Sequence, residues 1–149
     1  MELSDEILIP ASREQVYKAL NDAEILKQCI PGCNELVRQS DTELDAVVVL
    51  KIGPMKATFK GHVTLDASKA PEQFSLTGKG DGGVAGFAKG GAEVTLEDQG
   101  DNTLLSYTAI AEPSGKIAQL GSRLILSTAK KLSANFFNNF EAYMTQQSS

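Results

Sequence analysis

Tryptophan is absent from this chain, histidine occurs once, and cysteine occurs twice. A structural zinc site takes about four ligands, and the single His62 lies far in sequence from Cys29 and Cys33, so no metal centre is expected. The two cysteines stand in Cys29-Ile30-Pro31-Gly32-Cys33. That spacing is one residue longer than the usual redox pair, and they read as small half-buried residues flanking a turn. Also missing is any run of about eighteen apolar residues, which excludes a membrane-spanning helix. The opening Met1-Glu2-Leu3-Ser4-Asp5-Glu6 is acidic, whereas a secretory signal begins basic and turns apolar; a cytoplasmic protein is expected. Basic residues number 14 against 19 acidic ones, for a net charge of −5. A chain without basic excess is a poor ligand for phosphate backbones, so a nucleic-acid role is excluded.

What remains is ordinary globular composition, with 42% apolar and 22% charged residues, enough for one core and one domain. Residues 1–145 are expected to form that domain, with 146–149 as a polar tail. The chain is organised around its last stretch. Ile117, Leu120, Leu124, Ile125, Thr128, Leu132, Phe136, Phe140 and Tyr143 recur at steps of three and four, the spacing that lines one face of an α-helix. Ser114 is the expected N-cap of a helix running to Met144, roughly 40 Å long at about 1.5 Å per residue.

Before it, a first strand ends at Pro10, and Ser12 with Gln15 forms a capping box for a short helix. A second helix starts from Asn21 or Asp22 and carries Ile25, Leu26 and Cys29 inward. From Cys33 to Glu112 the period becomes two. Met55, Ala57, Phe59, Gly61, Val63 and Leu65 form a dry face, and Lys56, Thr58, Lys60, His62, Thr64 and Asp66 a wet one. His62 reads as a solvated strand residue without a carboxylate partner nearby in sequence. Similar inner rows are Leu44-Ala46-Val48-Leu50-Ile52, Phe74-Leu76-Gly78, Ala92-Val94-Leu96 and Leu105-Tyr107-Ala109-Ala111. Strands joined by short turns predict an antiparallel meander. The fold class is therefore α+β: a curved antiparallel sheet of about seven strands wrapped around a long C-terminal helix, with two short helices after the first strand, as in helix-grip domains.

Seven of the thirteen glycines lie between Gly78 and Gly91. No Walker pattern closes the stretch, and no helix follows it to cradle phosphate. Glycine in strands marks bends, bulges or close approaches. A bulge at Gly90-Gly91 is expected, because it would bring Phe87 and Ala85 to the inside. Residues without side chains also leave room between sheet and helix. Catalytic candidates are few: no Ser-His-Asp set has an elbow motif, and Tyr107 with Asp5 is the least unfavourable acid–base pair. On the helix, Lys116, Arg123 and Lys130 are seven apart and, with Lys131, predict a basic stripe for a partner or an anionic membrane.

Four stretches together resemble the CoxG-like family associated with carbon monoxide dehydrogenase, a branch of the START/polyketide-cyclase (SRPBCC) helix-grip superfamily. They are Cys29–Cys33, Gly53-Pro54-Met55-Lys56-Ala57-Thr58-Phe59-Lys60-Gly61, Gly82–Gly90, and Gly115-Lys116-Ile117-Ala118-Gln119-Leu120-Gly121-Ser122-Arg123-Leu124-Ile125. The resemblance implies a non-enzymatic accessory protein of a molybdenum hydroxylase, linked to maturation of that enzyme or to its recruitment to the membrane. It also implies an apolar ligand held under the long helix. A quinone would suit, since it links the dehydrogenase to the respiratory chain; a lipid is the other candidate, and no tightly bound cofactor is expected. Ligand contacts are expected from Val48, Leu50, Phe59, Phe74, Leu76, Gly86, Phe87, Tyr107, Ile117, Leu120 and Leu124. Lys116, Arg123, Lys130 and Lys131 are the expected docking residues, for the hydroxylase complex or for peripheral membrane contact. The rival readings are an assembly factor acting by docking alone, and a cyclase or dehydratase on the same fold. Self-association into a homo-oligomer is left open.

Overall fold

In the computed structural model, which describes residues 1–147, seven antiparallel strands form one sheet in the order β1-β7-β6-β5-β4-β3-β2. The strands are β1 (Glu2–Ile9), β2 (Cys33–Ser40), β3 (Glu43–Ile52), β4 (Met55–Asp66), β5 (Gln73–Asp81), β6 (Phe87–Gln99) and β7 (Asn102–Ser114). Between β1 and β2 lie α1 (Arg13–Leu20) and α2 (Ala23–Cys29), and α3 (Ser122–Gln147) closes the chain. This is the predicted meander and grip. Two-residue turns set its register: Gly53 takes φ 58° at the first position of the β3–β4 turn, and Gly100 takes φ 78° in the β6–β7 turn, as tight hairpin turns require.

The capping box on α1 forms as expected: Ser12 Oγ accepts from the Gln15 N–H, and Gln15 Oε1 from the Ser12 N–H, each at 3.3 Å. Asp22 caps α2, accepting from the Glu24 and Ile25 N–H groups. The long helix differs from expectation. β7 runs on to Ser114, and residues Gly115–Leu120 form a 3₁₀ turn bounded by Gly115 at φ 79° and Gly121 at φ 94°. Only then does α3 begin, and Ser114 makes no side-chain cap. The apolar spacing of Ile117, Leu120 and Leu124 is met by a 3₁₀ turn followed by an α-turn. α3 also continues through Gln147, past the expected start of the polar tail; residues 148 and 149 lie outside the described residues.

Two apolar clusters hold the helix, one at each end. The larger packs Ile9, Val16, Cys29, Leu65, Phe74, Val94, Leu96 and Leu105 around Phe140 and Met144, with Phe136, Phe137 and Tyr143 beside them. Asn139 Nδ2 donates to the Cys29 carbonyl at 3.0 Å and ties α3 to α2. The smaller cluster packs Ile52, Phe59, Ala85 and Ile117 with Leu50, Leu120, Leu124 and Ile125. Among the described residues, no helix is long and apolar enough to cross a membrane.

Candidate functional site

The register places every predicted inner row on one face. Phe59 pairs with Val48, Leu76 with Leu65, Val94 with Phe74 and Tyr107 with Val94. Of the expected ligand residues, Phe74 is buried in the larger cluster, with Leu76 and Tyr107 packed on it. Phe59 and Ile117 are buried in the smaller cluster, with Leu50, Leu120 and Leu124 around them. Val48 belongs to neither. It shares that position with Ala46, Val63, Ala92, Ala109 and Leu132, all half-buried. These apolar residues lie on the inner strand rows and on the midsection of α3. Gly61, Gly78, Gly80 and Gly90 stand among them on the inner rows of β4, β5 and β6. The backbone of α3 comes nearest to α2, β1, β3 and the 3₁₀ turn, while its side chains from Phe136 to Met144 reach the central strands in the larger cluster. At the start of α3 a surface groove of about 670 Å³ lies between Ala111 and Pro113 of β7, Ala118, and Ile125 and Leu126 of α3, with Glu2, Glu112 and Arg123 also lining it.

Two expected contacts move. No bulge interrupts β6, which pairs without a register shift with β5 from Phe87 to Thr95 and with β7 from Phe87 to Gln99. Phe87 therefore points outward and is 56% exposed, while Ala88 packs inward. The glycines serve close approach instead: a Cβ on Gly90 would collide with the Ile110 carbonyl, and one on Gly91 would sit 2.9 Å from the Leu76 carbonyl. Gly86 is likewise fixed by backbone. It sits at φ 110°, and a Cβ there would strike the Ser114 carbonyl. The backbone alone therefore requires glycine there.

The outer face carries a cluster that the residue-by-residue pattern missed. His62 Nδ1 lies 2.7 Å from Asp45 Oδ1, and Nε2 lies 3.2 Å from Glu43 Oε1. Both hydrogen bonds, Asp45 first, raise the imidazole's pKa above its ordinary 6.5. The sequence signal was the Gly53-Pro54 turn. A two-residue hairpin there puts Asp45 directly opposite His62. The cluster borders a trough of about 1010 Å³ on this face. The trough's charges are mixed, Lys60, Lys79 and Lys89 against Glu35, Asp81 and Glu112, so it selects no single sign of ligand. Among the described residues, no group of three or more His, Cys, Asp or Glu side chains is placed to hold a metal.

The remaining candidates are placed as follows. Asp5 lies directly opposite Tyr107 across β1 and β7. Its carboxylate accepts from the Glu6 N–H at 2.8 Å, and the Tyr107 ring stacks on Phe137 with centroids 5.3 Å apart. Burial raises the thiol pKa of both Cys29 and Cys33, with Lys27 partly offsetting it at Cys33, the opposite of a reactive thiolate. The basic stripe splits: Arg123, Lys130 and Lys131 are exposed on α3, but Lys116 lies on the 3₁₀ turn beyond Gly121.

Solved structures share this architecture. A conserved protein from Geobacillus kaustophilus is 28% identical, with 98% of this chain and 96% of that one covered and a TM-score of 0.90. A START superfamily protein from Mycobacterium smegmatis is 19% identical over 98% of each chain, TM-score 0.75. The ZhuI aromatase/cyclase from Streptomyces sp. R1128 is 10% identical over 100% of this chain and 96% of its own, TM-score 0.69. The fold is therefore the START-like helix grip, and it is shared with an enzyme. No curated protein matches the sequence significantly. The family model of the carbon monoxide dehydrogenase CoxG subunit matches residues 6–145, nearly the whole chain, and the protein belongs to that family.

Proposed function

We propose that this protein is a non-catalytic accessory of a carbon monoxide dehydrogenase-type molybdenum hydroxylase, and that it carries a lipophilic molecule of the quinone class between the sheet and α3. The observation that carries the reading is the row of half-buried apolar residues, Val48, Val63, Ala92, Ala109 and Leu132, that neither cluster covers. Close-packed interiors leave few such gaps. Apolar surface removed from water by a ligand contributes about 25 cal/mol per Å², which suits a guest poorly soluble in water. Quinone carriage would connect the hydroxylase to the respiratory chain, and the exposed Lys130 and Lys131 are left for docking to the enzyme. A cyclase reading rests on Tyr107 and Asp5, whose side chains are turned to Phe137 and to local backbone.

Organic extraction of the protein purified from its own host, followed by mass spectrometry, tests the carrier reading. A stoichiometric quinone or lipid is expected, and Ala92→Phe should abolish it by filling the row while the domain still folds. An empty extract that stays empty after incubation with added quinones would overturn it.

A further inference from the structure

The sheet that grips α3 is convex on its outside across the strands, yet that outer face is hollow along them. The trough of about 1010 Å³ is lined by residues of every strand from β2 to β7. A second hollow of about 780 Å³ continues it, and the two share His62, Lys79, Lys89 and Glu112. A face convex in one direction and concave in the other is a saddle, and a saddle fits a second copy of itself when the two are crossed. Among the described residues five large apolar side chains are exposed, and strand register sets four of them, Leu8, Val37, Phe87 and Ile110, on this outer face. Exposed apolar residues scattered singly are ordinary. Four on one face, three of them lining the hollows, form a patch that association would cover. The charges around them are incompletely paired. Lys89 lies 3.8 Å from Glu112, and His62 holds Asp45 and Glu43. Lys79 of β5 and Glu35 of β2 form no ion pair among the described residues. Three strand spacings separate them, about 14 Å, too far to meet within one chain.

We propose that the outer face is the interface of a symmetric homodimer, in which the two sheets cross saddle on saddle. Val37 and Phe87 are covered, and Lys79 of each copy lies against Glu35 of the other. A two-fold interface must be self-complementary. The mixed charge of the trough meets that condition: a strongly acidic or strongly basic partner would set like charges against each other, whereas a second copy brings each sign to its opposite by rotation. The area also suffices. At 12 residues β4 is about 40 Å long, and the six strands from β2 to β7 span about 24 Å. With the shorter β2 and β5 allowed for, the face offers roughly 800 Å², what each partner contributes to a standard interface. Such a dimer leaves α3 and the inner row of the sheet unblocked, so the inference stands whether or not that row holds a ligand.

Sedimentation equilibrium of the full chain across the micromolar range is the test. A particle of twice the 15.9 kDa chain mass is expected. Phe87→Lys and Val37→Lys put a cation opposite Asp81 and Asp45, where the register welcomes one and the fold is kept. Each should weaken the dimer about tenfold or more, as loss of an interface anchor does. Lys79→Glu should weaken it as well, and adding Glu35→Lys to the same chain should restore it, because rotation brings the exchanged charges together again. Lys130→Gln with Lys131→Gln, on α3, should leave association unchanged. Circular dichroism checks the fold of each variant, and should an apolar-site variant fail to fold, the charge exchange decides alone. The inference is overturned if the chain stays monomeric over that range, or if the dimer survives both Phe87→Lys and Val37→Lys. It is also overturned if the charge exchange fails to restore what Lys79→Glu loses. A monomer that binds a purified molybdenum hydroxylase and loses it on Phe87→Lys overturns it too, and assigns the face to that enzyme.

Discussion

At the scale of single residues, the outer-face histidine offers a direct electrostatic readout. His62 is the only histidine, so its imidazole proton signals in NMR belong to one site. Asp45 and then Glu43 hold the protonated form through hydrogen bonds and raise its pKa. A histidine whose folded pKa exceeds its unfolded value contributes stability that is complete below the unfolded value, near 6.5. That contribution fades as pH rises through the folded value. Asp45→Asn should lower the NMR titration midpoint of His62 and flatten the fall of thermal stability above neutrality. A midpoint unchanged by Asp45→Asn would show that the cluster does not form in solution. Neither partner is near His62 along the chain, but the Gly53-Pro54 turn fixes the register, so the cluster was legible once the hairpin was folded about that turn. Phe87 teaches the opposite lesson. Counting by two from Ala92 places it outside, and it is outside; the bulge that would have turned it inward assumed that an aromatic must be buried.

Glycine substitutions separate conformational need from contact. Gly100 has φ 78° with nothing near its Cβ position, whereas Gly86 has φ 110° and the Ser114 carbonyl in the way. Gly100→Asn should therefore cost less than about 1 kcal/mol, since asparagine tolerates the left-handed region. Gly86→Ala adds a clash to the backbone strain and should cost about 3 kcal/mol or more. Urea denaturation of the two variants gives the comparison, and equal losses would mean that the close approach at Gly86 relaxes freely.

At the scale of elements, α3 is anchored unequally. Its C-terminal half buries Phe140 completely and stacks it on Phe136 at 5.9 Å. Its first turns place Leu124 and Ile125, both half-buried, on the smaller cluster. Phe140→Ala should cost about 3–5 kcal/mol, the usual cost of emptying a core aromatic site. Leu124→Ala, which opens a site already half-exposed, should cost less than half as much. Thermal melts that rank the two the other way would place the structural core at the wrong end of the helix. The helix itself was plain in the sequence from its spacing of three and four. Its beginning was not. Gly115 and Gly121 both sit at positive φ, and an apolar spacing cannot distinguish a continuous helix from a 3₁₀ turn, a glycine break and a new helix. That break also separates Lys116 from the residues it was expected to align with.

At the scale of the molecule, alternation and turn chemistry specified the sheet, because one dry face per strand leaves little choice of register. The row proposed to hold a ligand was legible only as a surplus of small residues. Which of them stay uncovered depends on where the helix leans, and that is a tertiary property absent from any local pattern. The consequence is thermodynamic. A ligand that binds only the folded state stabilises it by about 2.7 kcal/mol at a free concentration a hundred times its Kd. For a chain of this size each kcal/mol moves the melting temperature by about 2–4 °C. A short-chain, water-soluble quinone at that concentration should therefore raise the melting temperature of the extracted protein by roughly 5–10 °C. Ala92→Phe occupies the same inner row without its guest, so its melting temperature should not respond to the quinone. If both proteins shift equally, the quinone binds elsewhere, with the outer trough beside His62 as the next place to look. If neither shifts, the uncovered row is not a quinone site, and the small residues serve only to let the sheet bend around its helix.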